Sequence, residues 1–267
     1  MSIEDTDFLE VMRDGVAYKA TVAKLQNALS YTTTYLIVGG GGAGGSGLGG
    51  GGGAGGFLTG TVALQRGVVY SATVGAGGVG IPNPVSGALS RLSGTGITTI
   101  TASGGGKGGD VSGKPSAGGS GGGGGSEANK AGGSGTAGQG NKGGTGYSPG
   151  GFGAGGGGGG AGSVGKEGTA GGKGGSGKAS SITGSSLTYA VGGDGGDSSN
   201  TAAPGTNGRG NGGDSAGFVP PSKGGSGVVI LRVPTANYSG NTTGSPKISQ
   251  VGADTVIRFT GNGTYTS

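Results

Sequence analysis

"YLIVGGGGAGGSGLGGGGGAGG" runs from Tyr35 to Gly56. A short apolar, strand-like run leads straight into a segment that is nearly all glycine. Glycine loses more conformational freedom on ordering than any other residue. The stretch is therefore either a flexible linker or a structure that only glycine can build, and the fold depends on which.

The same choice recurs along the chain, where 81 of 267 residues are Gly. Collagen has a similar share, about one third, but this chain has no strict Gly-X-Y period and only 9 Pro, so collagen is excluded. Flexible coil is the default for Gly/Ser-rich chain. Against it stands the punctuation. Glycine-dominated runs begin near Gly39, Gly75, Gly104, Gly118, Gly132, Gly150, Gly165, Gly192, Gly205 and Gly224, separated by bends such as IleProAsnPro (81–84), LysProSer (114–116) and ProProSer (220–222). Glycine chains in the polyproline-II conformation, with about three residues per turn and no internal hydrogen bonds, can lie directly against one another. Their amides then bond between chains, and any Cβ inside would hold the neighbours apart. The expectation is a bundle of ordered polyglycine-II rods.

Short segments rich in Val, Ile, Thr and Tyr read as strands: residues 34–38, 58–64, 68–74, 98–102, 187–191, 227–233, 247–251 and 255–260. Gly252-Ala253-Asp254 reads as the turn between the last two. Tyr35–Val38, Val228–Val233 and Val256–Phe259 are expected to share one sheet. The fold class is thus mainly β: a short-stranded, sandwich-like body with a polyglycine-II bundle, over residues 32–267.

Residues 1–31 form a different unit. Asp14-Gly15 between PheLeuGluValMetArg and ValAlaTyrLysAlaThr is a hairpin signal, because both turn residues tolerate positive φ. Thr21 can cap a short helix over residues 22–29, with Val22, Leu25 and Leu29 on one face. Such a module is too small to hold a core alone. It is expected to attach the chain to a partner, through Phe8, Leu9, Tyr18, Leu25 and Leu29.

Cys, His and Trp are absent. That removes disulfides, Cys or His metal sites, and the usual base for a Ser or Cys nucleophile. No apolar run is long enough to span a bilayer, and the acidic start MSIEDTDFLE has no apolar signal region. The formal net charge of +5 is uneven, since Glu4, Asp5, Asp7, Glu10 and Asp14 precede Gly15 with only Arg13 beside them. The basic residues of the body are scattered singly, without interleaved aromatics, so nucleic-acid binding is not expected. Gly75–Gly80 fits G-x-G-x-x-G, but no helix pattern follows and so glycine-rich a chain meets the pattern by chance. "GKGGSGKA" (172–179) has Ala179 where a phosphate-binding loop needs Ser or Thr. Asp194, Asp197 and Asp214 could hold Ca²⁺, although turn chemistry accounts for them better. No enzyme activity, cofactor or metal is expected.

"YSATVGAGG" (70–78), "TASGGGKGG" (101–109), "SSITGSSLTYAVGG" (180–193), "GGSGVVILRVP" (224–234) and "VIRFTGNGTYT" (256–266), with the opening stretch, resemble glycine-rich phage virion proteins, tail-fibre proteins above all. The run architecture is similar to tip adhesins of T-even-like long tail fibres, which carry a polyglycine-helix bundle capped by receptor-binding loops. Residues 5–29 resemble attachment modules of marine-phage structural proteins. One departure stands out: the "FT…GTFT" strand that often precedes "YLVVGGGG" in these proteins here closes the chain.

The resemblance implies a virion location and host-surface recognition, of a glycan or an outer-membrane protein, without membrane insertion. Other virion proteins would bind the N-terminal module, and a homotrimer is a candidate assembly. The receptor-binding candidates are Ile81, Asn83, Tyr147, Phe152, Phe218 and Val219, the large side chains of the connections 81–85, 147–152 and 218–221. Two alternatives remain. One is a purely structural virion role, such as a head fibre or capsid decoration. The other is ice binding, which would show more regular Thr or Ala faces.

Overall fold

The computed structural model describes residues 8–13, 16–21, 29–81, 83–150, 153–170, 172–198, 201–217 and 220–267. In chain order the strands are β1 (Phe8–Arg13), β2 (Val16–Thr21), β3 (Ser30–Val38), β4 (Phe57–Gln65), β5 (Val69–Thr73), β6 (Ser90–Gly94), β7 (Ile100–Ala102), β8 (Lys178–Ser180), β9 (Leu187–Tyr189), β10 (Val228–Pro234), β11 (Lys247–Val251), β12 (Asp254–Phe259) and β13 (Gly263–Thr266).

β1 and β2 pair antiparallel from Phe8↔Thr21 to Arg13↔Val16, so two residues connect them, as the Asp14-Gly15 signal requires. Asp14, Gly15, residues 22–28 of the expected helix, and the side chains of Phe8, Leu9, Tyr18 and Leu25 lie outside the described residues. Leu29 sits in a turn just before β3 and is 57% exposed. Ser30 and Tyr31 already belong to β3.

The body is mainly β. A five-stranded antiparallel sheet has the order β11-β12-β10-β3-β4, and a four-stranded one the order β13-β5-β6-β7. The three segments expected to share a sheet do so, as the central strands β12, β10 and β3. β10 is buried on both faces, which is why it reads as the unbroken apolar run Val228–Leu231. Val229, Leu231, Ile257, Phe259 and Ile37 pack against Tyr70, Leu92 and Tyr265 of the four-stranded sheet. Val228, Ile230, Leu36 and Val256 pack against Ile182 and Tyr189, from the segment that forms the β8–β9 hairpin. Each fully buried aliphatic side chain contributes roughly 1.5–3 kcal/mol of transfer free energy.

Strands β6 and β8 were not expected, whereas β13 lies in the closing "FTGNGTYT" segment (259–266) that the resemblance marked as a strand. "SRLSG" in β6 has one large apolar residue, and Leu92 and Ser90 are both fully buried. It is a strand because β5 and β7 offer ladders on either side, not because of its own composition. The β11–β12 turn is as expected: Val251↔Asp254 close it, and Gly252 takes φ 62°, open to glycine.

The glycine runs carry no strand ladder, yet they are buried and hydrogen-bonded sideways. The pattern repeats every third residue. From run 50–56, Gly50, Gly53 and Gly56 donate to Gly109, Gly106 and Ser103; Gly51 and Ala54 donate to Gly156 and Gly159; Gly52 and Gly55 donate to Gly213 and Gly210. The same run accepts from Gly45, Gly42 and Gly39, from Gly123 and Ser120, and from Gly193, while Gly196 donates to Gly49 just before it. Six segments therefore surround run 50–56. They also bond to each other in a closed ring, through Gly105→Gly40, Gly106→Ser120, Gly159→Gly121, Gly158→Gly193, Gly212→Val191 and Gly213→Gly42. Every buried amide and carbonyl needs a partner, and in this lateral array most partners are other backbone groups.

Candidate functional site

The runs leave the sheets and return to them. Run 39–45 continues from β3 and run 50–56 feeds β4; run 103–109 follows β7 and run 222–227 feeds β10. Their connections at the far end are tied to one another. Ser46 donates its amide to Asp110 Oδ1 at 2.9 Å. Val111 donates to the Ser46 carbonyl, Ser126 to Leu48, and Glu127 to Val111. Ser215 Oγ donates to the Gly45 carbonyl at 2.7 Å.

Two of the three connections singled out in the sequence can be placed at this end. Val85 donates to the Val79 carbonyl, which closes the loop holding Ile81 and Asn83. Ile81 is 63% exposed, and Val79, Val85 and Asn83 are exposed beside it. A Cβ on Gly80 would meet Pro221 and Ser222, so the start of loop 81–85 adjoins those two residues. Tyr147 exchanges both backbone hydrogen bonds with Ala154, and Ser148 donates to Asn129 Oδ1 at 2.7 Å. The Tyr147 side chain is 41% exposed. Phe152, Phe218 and Val219 lie outside the described residues. Loop 81–85 borders run 39–45, whereas Ala154 begins the run that lies across the ring from it. The structure thus sets Ile81 and Tyr147 on opposite flanks of run 50–56 rather than in one pocket.

The acidic residues serve the array. Asp214 Oδ1 accepts from the Asp194 amide at 2.8 Å, and its Oδ2 accepts from the Ala203 amide. Asp194 Oδ1 accepts from the Gly174 amide, and its Oδ2 pairs with Lys173 Nζ at 2.7 Å. Asn211 Oδ1 takes the Val191 amide in the same way. Side-chain oxygens here replace the carbonyls of a neighbouring run. Burial raises the Asp214 carboxyl above its ordinary value, against the two amides that favour its charged form. The Lys173 ammonium is raised by the Asp194 hydrogen bond and charge, but an ion pair this exposed adds little stability, ~0–1 kcal/mol. Sequence reading missed this ladder. Its signal was the three-residue spacing of Asn211 and Asp214 opposite Val191 and Asp194.

A family model described as a glycine-rich domain matches residues 20–234. The chain belongs to that glycine-rich domain family. No curated protein and no solved structure matches it.

Proposed function

We propose that the chain is a non-enzymatic virion protein of the tail-fibre kind, in which a polyglycine-II bundle presents loops to a host cell surface. A helix with three residues per turn points successive amides and carbonyls about 120° apart. The three-residue period of the lateral bonds and the six segments around run 50–56 support that geometry. A Cβ on Gly51, Gly52 or Gly53 would run into the backbone of a third neighbour, where Cα–H groups make weak contacts with carbonyls.

The observation that carries the functional reading is the convergence of connections at the end away from the sheets, with Ile81, Val85 and Tyr147 exposed there. Loops held by a rigid scaffold are where recognition concentrates, and apolar or aromatic anchors suit a glycan or a protein surface. The hairpin β1–β2 and the residues after it would attach the chain to a virion partner.

The test is adsorption to host cells. Ile81→Ser combined with Tyr147→Ala should abolish it while leaving the melting temperature and particle incorporation unchanged, since both side chains are exposed. Adsorption at the wild-type level would refute recognition by these loops and favour a structural head-fibre or decoration role.

A further inference from the structure

A recess lies on the five-stranded sheet, lined by none of the loop residues just described. Ser185 and Leu187, from the segment ending in β9, face Lys247, Ser249, Val256 and Arg258 across a cavity of about 320 Å³. That is at the small end of the range for ligand pockets.

Lys247 and Arg258 are direct cross-strand partners in the β11–β12 ladder. Like charges placed opposite each other on one sheet face destabilise the pair. No acidic residue lines the recess. Among the described residues the ion pairs lie elsewhere, between Lys173 and Asp194 and between Arg232 and Asp254. The contrast with Arg232 is direct, because its Nε donates to Asp254 Oδ2 at 2.8 Å on a neighbouring strand. Arg258 Nε is shielded from water and has no hydrogen-bond partner. Its Nη2 makes one long bond, to the Gly208 carbonyl at 3.4 Å. A buried donor left unpaired is costly, and more so on a charged group. An anion between the two cations would relieve their repulsion, and a guanidinium turned toward it would gain the partner that Nε lacks.

We propose that this recess binds a sugar bearing an oxyanion, either a uronic-acid carboxylate or a sugar phosphate. The guanidinium fork of Arg258 suits paired oxygens, with the Lys247 ammonium as the second cation. The Ser185 and Ser249 hydroxyls match ring hydroxyls, and Leu187 with Val256 offers an apolar floor for the ring. The proposal does not rest on the reading of loops 81–85 and 147–152.

Calorimetric titration at low salt with glucuronate, glucose 6-phosphate and glucose tests it. Saturable binding of at least one charged sugar is expected, with none for glucose and with weakening as salt is added. Binding of glucuronate alone assigns the carboxylate; binding of glucose 6-phosphate alone assigns the phosphate. Lys247→Ala, at an exposed strand position, should weaken binding at least about tenfold, and Arg258→Gln should do so independently. Lys223→Ala, outside the recess, should bind as wild type. The proposal is overturned if neither charged sugar binds, if glucose binds equally well, or if Lys247→Ala and Arg258→Gln bind like the parent.

Discussion

Gly53→Ala perturbs the middle of the run that six others surround. Its amide donates to the Gly106 carbonyl at 2.8 Å, and its carbonyl accepts from Gly42 at 2.9 Å. An ideal Cβ there would sit 2.7 Å from the carbonyl carbon of Gly121 and closer still to the Ser120 oxygen, inside the 3.0 Å that real Cβ atoms respect. These are backbone atoms, so no side chain can swing away. The neighbouring run must move on the order of an ångström to restore van der Waals contact. Ser120 accepts from Gly106 and donates to Ala54, so the shift strains a group of lateral bonds at once. Overpacking costs about 1–3 kcal/mol, and each buried polar group left unpaired costs about 1–3 kcal/mol more. The lost flexibility of the unfolded chain returns only ~0.4–1 kcal/mol. The net expectation is a destabilisation of about 1–5 kcal/mol, against the roughly 5–15 kcal/mol that holds a typical domain. Denaturant unfolding followed by circular dichroism measures it, with Gly261→Ala as the control. An added Cβ at Gly261 meets nothing within 4 Å, so that variant should be equal to or slightly more stable than the parent. A Gly53→Ala protein within about 1 kcal/mol of wild type would refute the claim that backbone alone fills the space between runs.

Tyr31→Phe should cost about 1–3 kcal/mol, because the Tyr31 hydroxyl bonds Tyr265 Oη at 2.8 Å and accepts from Ser267 Oγ at 2.9 Å in the core; thermal unfolding checks this, and an unchanged midpoint would count against the network. Asp214 gives a pH signature. Its folded pKa is raised above the ordinary 3.8, so the folded chain holds that proton more tightly, and the stability it contributes is fully present below the unfolded pKa and lost as pH rises through the folded one. Melting temperatures of wild type and Asp214→Asn should therefore diverge with pH across that window, with wild type losing ground, and run parallel above it. Parallel curves throughout, or a wild-type gain, would contradict the burial argument.

Some of this architecture was legible because it depends on what a residue excludes. A run such as Gly49–Gly53 can pack only backbone to backbone, and the short apolar runs Tyr35–Val38, Val228–Val233 and Val256–Phe259, two of them abutting glycine runs, pointed to one sheet, which β3, β10 and β12 form. The Asp14-Gly15 signal likewise predicted the two-residue connection between β1 and β2. What the sequence could not say is which run lies beside which. Lateral bonds join amide to carbonyl, and these groups are the same at every glycine, so Gly53 carries no mark that selects Gly106 over any other partner. Some pairings are marked by side chains that the fold brings together, as Asn211 meets the Val191 amide and Asp214 the Asp194 amide. The same holds for β6, whose polar "SRLSG" becomes a strand only between β5 and β7. It holds too for Lys247 and Arg258, which lie eleven positions apart in the chain and become opposed charges only through the β11–β12 register. Residue type determined where side chains were forbidden; the tertiary structure decided which backbones and which charges would meet, because those contacts depend on register and neighbourhood rather than on composition.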